Sequence, residues 1–104
     1  DIAEVTAATK DNPVFYVQYA HARISSALRK AVEVFTDSRI DDSSLCEAEF
    51  AHLQTHEEQR LISAVAQFPR LVESAALARE PHRVAFYLSD LAGANHGLWA
   101  AEKS

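Results

Sequence analysis

Several residue types are scarce in this 104-residue chain, and each scarcity narrows the fold class. Two glycines and three prolines are too few for a chain rich in loops or β-turns, so the composition favours long helices. A single cysteine, Cys46, excludes an internal disulfide and fits a reducing, intracellular setting. No run of about 18 apolar residues exists, so no membrane span is indicated. The N-terminus also lacks the basic start and apolar run of a signal peptide.

The charge balance limits the kind of partner. Fifteen acidic residues outnumber ten Lys and Arg residues, and the net charge is −5. Because this balance creates no overall basic field, indiscriminate binding to DNA or other nucleic acids is not expected. A local nucleic-acid site remains compatible with it. Apolar residues make up 48% of the chain, enough to close the single modest core of one small domain.

The first predicted helix begins at a clear cap signal. Asn12 has the character of an N-cap, and Pro13 follows at the first helical position, which predicts a helix from residue 12 or 13 to about residue 36. An apolar stripe follows at alternating steps of three and four, formed by Val14, Val17, His21, Ile24, Leu28, Ala31 and Phe35. We expect this stripe to be buried, with His21 as an interior, hydrogen-bonded side chain.

Three further helices follow a polar break. TDSRIDDSS predicts a loop over residues 37–44, and LCEAEFAHLQ predicts one or two loose turns. Thr55 and Glu58 form a capping-box pattern that opens a helix through LISAVAQF. Pro69 starts the next helix, which ends near residue 80, and Pro81 opens the last one. The expected inner faces are Phe68, Leu71, Val72, Ala75 and Ala76 on the third helix, and Val84, Leu88, Leu91, Ala92 and Trp99 on the fourth. The fold class is therefore all-α, an antiparallel helical bundle of about four main helices.

A second face of the first helix carries rings and positive charges. At about 100° per residue, Tyr16, Tyr19, Arg23 and Lys30 share an arc roughly 130° from the apolar stripe. In one interpretation the tyrosines pack against another helix or a neighbouring domain, with their hydroxyls reaching water. In the other they form a stacking platform for unpaired bases, and Arg23 and Lys30 contact phosphates or a base edge. Spacing alone leaves both open.

Three segments resemble a known family. DNPVFYVQYAHARI, residues 11–24, is similar to the segment where the catalytic domain of arginyl-tRNA synthetases passes into their C-terminal helical anticodon-binding domain, named for its DALR motif. HEEQRLISAVAQFPRLVESAA resembles that domain's second and third helices, and EPHRVAFYLSDLAGANHGLW its EPHxxxxYLxxLA helix. The resemblance implies the end of a linker at 1–11 and a partial DALR domain at 12–104. Since the chain stops at AAEKS, we expect a truncated fragment that lacks the family's last helices.

The resemblance implies a tRNA-reading role. In the family the tyrosines and arginine of the YxQYAHxR helix contact the anticodon loop, which by position implies Tyr16, Tyr19 and Arg23. Lys30 has only its angle in support. The parent enzyme would charge tRNA(Arg) with arginine in the cytoplasm, using ATP with Mg in its catalytic domain, whereas no cofactor and no catalytic site are expected in this fragment. The implied partners are the tRNA(Arg) anticodon loop and the parent's own catalytic domain. Asn95 departs from the pattern, which usually has phenylalanine before the histidine.

Metal and nucleophile chemistry have weaker support. Cys46, His52 and His56 are residue types that bind zinc. However, a cap at Thr55 places His52 outside the helix that carries His56, so we expect no metal site. No orienting group or glycine-rich oxyanion loop accompanies Cys46, and we therefore expect no nucleophilic catalysis.

A hypothesis of a different class involves protein partners. The chain would be a non-enzymatic helical protein-interaction domain, with its Tyr16/Tyr19 face docked on another protein. A related expectation concerns copies of the chain itself. Apolar surface that further helices would cover predicts self-association.

Overall fold

The computed structural model describes residues 12–35 and 41–103, and every regular element in these two ranges is helical. Four long helices are α1 (Pro13–Val34), α3 (His56–Ala66), α4 (Phe68–Ala78) and α5 (His82–Lys103). Between the first two lie a short α2 (Asp42–Cys46) and a 3₁₀ turn (Phe50–His52). The predicted all-α class and its four main helices are confirmed. The predicted linker at 1–11 lies outside the described residues.

The start of α1 follows its local sequence. The Asn12 side-chain oxygen accepts hydrogen bonds from the backbone N–H groups of Val14 at 3.0 Å and Phe15 at 3.4 Å. Pro13 occupies the first turn, where a missing N–H leaves no bond unmade. The predicted cap is confirmed, and it marks the start of the helix that carries Tyr16 and Tyr19.

The start of α3 is a complete capping box. The Thr55 hydroxyl oxygen accepts from the Glu58 backbone N–H at 3.1 Å, and the Glu58 carboxylate accepts from the Thr55 backbone N–H at 3.1 Å. Two backbone donors that the helix itself cannot satisfy are thereby paired. The prediction from the Thr55 and Glu58 spacing is confirmed.

The predicted loop over 37–44 is wrong at its C-terminal end, because α2 begins at Asp42. The Asp41 carboxylate accepts a hydrogen bond from the Ser44 backbone N–H at 2.9 Å and so caps this short helix. Aspartate and serine favour both turns and helix caps, since their short side chains bond nearby backbone groups in either setting. A polar run therefore concealed a helix start.

The turn between α4 and α5 is closed by backbone hydrogen bonds. Arg79 adopts a left-handed conformation with φ 57° and ψ 42°. Its N–H donates to the Ala76 carbonyl at 3.1 Å, and the Glu80 N–H donates to the Ala75 carbonyl at 2.9 Å. This pairing is a Schellman motif, which satisfies the last carbonyls of α4. The chain then reverses into α5.

The helix α5 is the one on which the other three long helices pack. The Tyr87 hydroxyl of α5 donates to the Ala64 carbonyl of α3, and Arg83 donates to the Ser74 hydroxyl of α4 at 3.3 Å. The later residue of the α3–α4 pair, Ser74, thus meets the earlier residue of α5, Arg83. These two helices therefore follow one another in the direction opposite to α5.

The helix α1 advances along α5 in the same direction. Tyr16 contacts His96, and Arg23 contacts both His96 and Trp99 one turn further on. α1 and α5 thus run in one direction, and α3 and α4 run in the other. In this helical bundle α3 and α4 are antiparallel to α5, while the parallel packing of α1 on α5 places the end of α5 beside the tyrosine face of α1.

Small residues form the buried apolar core of the described chain. The buried apolar residues are Ala20, Ala75, Ala92 and Ala94. Ala75 and Ala92 were predicted to face inward, and this is confirmed. Other predicted inner residues are partly buried, namely Leu71, Val84, Leu88, Leu91 and Trp99, whereas Phe68, Val72 and Ala76 are exposed. Alanine lets helix backbones approach closely, but each one buries little apolar area, so the core is thin.

The predicted buried stripe of α1 is largely wrong. Val14, Ile24, Leu28 and Phe35 are exposed, Leu28 by 48%, while Val17 and Ala31 are partly buried. His21, predicted as an interior hydrogen-bonded residue, is also exposed. The reason is that α1 directs Ala20 and Tyr16 toward α5. The stripe instead borders an open groove.

That groove is lined mainly by apolar side chains. It has a volume of about 390 Å³ and runs between α1, α3 and α5. Its lining combines Val17, Ala20, His21, Ile24, Leu61, Val65, Leu88, Leu91, Ala92 and Asn95. The described residues do not fill it, so the periodic pattern of α1 located an apolar face without locating a partner for it.

Candidate nucleic-acid interface

Three of the predicted site residues lie together where α1 meets α5. Tyr16, Tyr19 and Arg23 occupy successive turns of α1, and all three contact His96 of α5. The His96 ring centroid is 4.9 Å from that of Tyr16 and 5.4 Å from that of Tyr19. Trp99, one turn beyond His96, completes a group that we call the tyrosine–arginine cluster: Tyr16, Tyr19, Arg23, His96 and Trp99.

The Arg23 side chain is held between rings. Its guanidinium carbon lies 4.0 Å from the Trp99 ring centroid and 5.2 Å from the Tyr19 ring centroid, distances typical of cation–π contacts. One guanidinium nitrogen lies 3.4 Å from His96 Nδ1, a long hydrogen bond. A guanidinium has five N–H donors, and within the described residues only this one has a partner. Arg23 is therefore fixed in direction with donors to spare.

The two tyrosines differ in environment. Tyr19 is 46% exposed, and its ring stacks with Phe15 at a centroid distance of 6.1 Å and an interplanar angle of 8°. Tyr16 is partly buried, and its hydroxyl oxygen lies 3.6 Å from the position that a Cβ at Gly93 would take. The packing interpretation therefore fits one tyrosine and the stacking interpretation fits the other. Tyr16 packs against α5, whereas Tyr19 offers exposed aromatic surface.

A shallow hollow lies over the cluster. It has a volume of about 270 Å³ and is bordered by Phe15, Tyr16, Tyr19, Arg23 and His96. Its walls are four aromatic rings and one cationic group. This combination suits a planar, electron-rich ligand that can stack and accept a hydrogen bond.

Lys30 is not part of this hollow. It is exposed and lines a neighbouring groove of about 450 Å³, together with Arg23, Trp99 and residues of the last two turns of α1. Arg23 lines both depressions, whereas Trp99 lines only the groove beside Lys30. Tyr16, Tyr19 and Arg23 of the predicted arc therefore border one hollow. Lys30, the fourth residue of the arc, lies beside a different groove.

The surroundings of His96 change its protonation equilibrium. Burial, and then the nearby Arg23 guanidinium, lower the pKa of His96 below its ordinary value, while the Tyr16 backbone acts in the opposite direction. The neutral imidazole therefore dominates at neutral pH. Since Nδ1 faces an Arg23 donor, we assign the proton to Nε2, which is buried without a partner of ordinary hydrogen-bond geometry.

Sequence reasoning did not place His96, Phe15 or Trp99 in the site. His96 and Trp99 are three residues apart on α5 and so share a face of that helix, which is the signal that could have linked them. The link to α1 spans 73 residues between Arg23 and His96. No local pattern reports such a contact.

The other candidate residues do not form a metal centre in the described ranges. No three His, Cys, Asp or Glu side chains of residues 12–35 and 41–103 lie close enough to share a metal ion. His52 is instead 3.5 Å from the Glu49 carboxylate, and both side chains are exposed. Cys46 is also exposed. In the part of the chain that the structure covers, none of the helices has the length and apolar character needed to cross a membrane.

Comparison with protein families decides the assignment. The profile of the DALR anticodon binding domain matches residues 17–103. The chain belongs to this family. The match begins within the first turns of α1 and contains Tyr19, Arg23, Lys30 and His96. Tyr16 lies one residue before it.

Relatives of this DALR domain match nearly the whole length of the chain. A protein named arginine–tRNA ligase from Beijerinckia indica is 52% identical over 103 residues, 99% of this chain and 18% of the relative. Proteins of the same name from Parvibaculum lavamentivorans and Rhodospirillum rubrum are 56% and 52% identical, each over 95% of this chain and 17% of the relative. The chain thus spans less than a fifth of the length of these relatives. No solved structure matches it significantly.

Proposed function

We propose that this DALR domain is the anticodon-binding module of an arginine–tRNA ligase. The whole protein would charge tRNA(Arg) with arginine in the cytoplasm, with ATP and Mg²⁺ bound in its catalytic domain. This chain would bind the anticodon loop and pack against that catalytic domain. The proposal rests on one observation above others: in a chain about half identical to arginine–tRNA ligases, Tyr16, Tyr19 and Arg23 gather at one exposed hollow.

The chemistry of the hollow suits an unpaired base. An exposed tyrosine ring can stack with any base, and stacking contributes ~1–3 kcal/mol per base. Tyr19 has the necessary exposed surface. Arg23, held over the Trp99 ring, has N–H donors left for a base edge or a phosphate oxygen. Tyr16, also on α1, packs against α5 and supports this arrangement.

Lys30 would act through charge and at longer range. It is exposed beside the neighbouring groove, where it could meet a phosphate of the same loop. Exposed charges are screened by salt, so its contribution should be smaller than that of the rings. With few cationic contacts in an acidic chain, the isolated domain should bind RNA weakly.

A titration with two RNA stem-loops tests the proposal. Both have the same stem, one carries an arginine anticodon and the other a scrambled loop, and the salt concentration is low and fixed. We expect tighter binding to the arginine loop because splayed bases of the right identity can stack and pair with donors in the hollow. Equal affinities for both loops would contradict a reading role for this chain.

The predicted self-association has support of its own, separate from the hypothesis that the Tyr16/Tyr19 face docks on another protein. Large apolar side chains are exposed along the α1 stripe and at Val65, which lines the groove between α1, α3 and α5. Exposed apolar surface of this kind marks association sites. We therefore propose that the isolated chain self-associates through this groove.

Size-exclusion chromatography at several concentrations tests self-association. We expect the elution volume to decrease as concentration rises, and Val65→Ser to reduce that shift because the groove becomes more polar. A matched variant, Leu77→Ser, removes an apolar side chain that is 79% exposed on α4 and does not line this groove. Monomeric elution of the unmodified chain at every concentration would contradict the proposal.

A further inference from the structure

One side chain from α5 contacts all three α1 residues of the tyrosine–arginine cluster. The His96 ring lies 4.9 Å from the Tyr16 ring and 5.4 Å from the Tyr19 ring, and its Nδ1 lies 3.4 Å from an Arg23 nitrogen. These three residues come from successive turns of α1, and His96 contacts each of them. His96 is therefore placed to set their relative positions.

We propose that His96 is the positioning residue of the tyrosine–arginine cluster, whose neutral imidazole holds Tyr16, Tyr19 and Arg23 in the arrangement that an unpaired base meets. The effect on RNA binding rests on the proposed function, whereas the contacts of His96 with the three residues do not. His96 need not touch the RNA itself. Its role is exerted through the two rings and the guanidinium.

The positive charges around His96 explain why it must be neutral to hold Arg23 in place. Arg23 of α1 faces it directly, and Arg60 of α3 lies near Gly97, where the guanidinium nitrogen is 3.6 Å from the position of an added Cβ. On α5 itself, the only side chain of residues 92–101 that can carry a charge is His96 in its protonated form. A proton on Nδ1 would remove the acceptor for Arg23 and add a like charge beside it. Acid should therefore displace Arg23 from its place between the rings.

The direction of the pH effect follows from burial. Since burial and Arg23 lower the pKa of His96 in the folded chain, the unfolded chain binds this proton more readily. The stabilising contribution of neutral His96 is thus present above about pH 6.5, its ordinary pKa, and is lost as the pH falls through the folded-state value. Proton uptake and loosening of the cluster should occur together.

The first experiment needs no RNA. In the NMR spectrum of the free chain, the His96 ring signal is identified by its loss in His96→Asn. We expect the Tyr16 and Tyr19 ring signals to titrate with the same midpoint as His96, and Arg23→Gln to raise that midpoint because a like charge is gone. Tyrosine signals that do not follow His96, or an unchanged midpoint in Arg23→Gln, would overturn the positioning role.

The second experiment measures affinity for the arginine-anticodon stem-loop from about pH 7.5 down to about pH 5.5, within the range where circular dichroism shows the chain folded. We expect the unmodified chain to lose about tenfold in affinity on acidification, the size of one weakened stacking contact. His96→Asn keeps an acceptor where Nδ1 stood but does not titrate, so its affinity should stay constant. His82→Asn, the same change at an exposed position of α5, should behave like the unmodified chain.

The two experiments separate the two proposals. A parallel loss of affinity in the unmodified chain and in His96→Asn would overturn the role of His96, since the RNA or another group would then be titrating. Absence of binding at every pH would count against the proposed function alone. In that case the NMR titration of the free chain still decides whether His96 positions the cluster.

Discussion

Replacing Tyr19 with alanine should weaken binding to the arginine-anticodon stem-loop by about 5- to 150-fold, the equivalent of ~1–3 kcal/mol for one stacked base. Tyr19 is the tyrosine of the cluster with exposed ring surface, so its loss removes a stacking surface rather than a core contact. Affinity for the scrambled loop should change less, because that loop gains little from the hollow. Fluorescence anisotropy with labelled RNA measures both values.

Two further variants make this result specific. Tyr19→Phe keeps the ring and removes only the hydroxyl, so it should retain most of the affinity. Tyr16→Ala does not separate stacking from stability. Tyr16 is partly buried against His96 and close to Gly93, so its loss would also loosen the α1–α5 contact. Unchanged binding by Tyr19→Ala, with a helical content equal to that of the unmodified chain, would contradict the stacking role.

Signals within one turn of the chain predicted the helix starts well. Asn12 before Pro13, and Thr55 three residues before Glu58, satisfy backbone donors through side chains that are close in sequence. Such bonds form wherever the helix forms, whatever packs on it later. The start of α2 at Asp42 was missed because aspartate and serine support turns and caps by the same local hydrogen bonds.

The packing of α1 shows the limit of periodicity. Spacing identified an apolar stripe including Ile24 and Leu28, and that stripe exists on one side of the helix. Whether it is buried depends on which other helix lies against it, and here α5 meets the side that carries Ala20 and Tyr16. The stripe then borders an open groove. A pattern along one helix does not contain that tertiary choice.

The candidate site was predictable in part for the same reason. Tyr16, Tyr19 and Arg23 belong to one helix, so their common arc follows from 100° per residue. His96 and Trp99 enter from α5, and they change the meaning of the arc: Arg23 is held by rings rather than extended into solvent. Lys30 lies on the predicted side but beside a different depression.

The largest effect on stability is expected from Ala94→Leu, which should lower the free energy of unfolding by about 1–3 kcal/mol. Ala94 is only 2% exposed, in a core built from alanines where α5 lies close to its neighbours. It lines none of the grooves described above, so three added carbons must push helices apart. Because a small domain has little stability in reserve, a loss of this size should shift a urea unfolding midpoint clearly.

A matched substitution separates crowding from a general effect of leucine in α5. Ala85→Leu makes the same change at an exposed position of the same helix, and both residues are good helix formers, so its midpoint should stay close to that of the unmodified chain. Equal midpoints for Ala94→Leu and Ala85→Leu would show that the contact surface around α5 yields freely. The tyrosine–arginine cluster, which depends on where α5 places His96 and Trp99, would then lack the rigid support that base recognition requires.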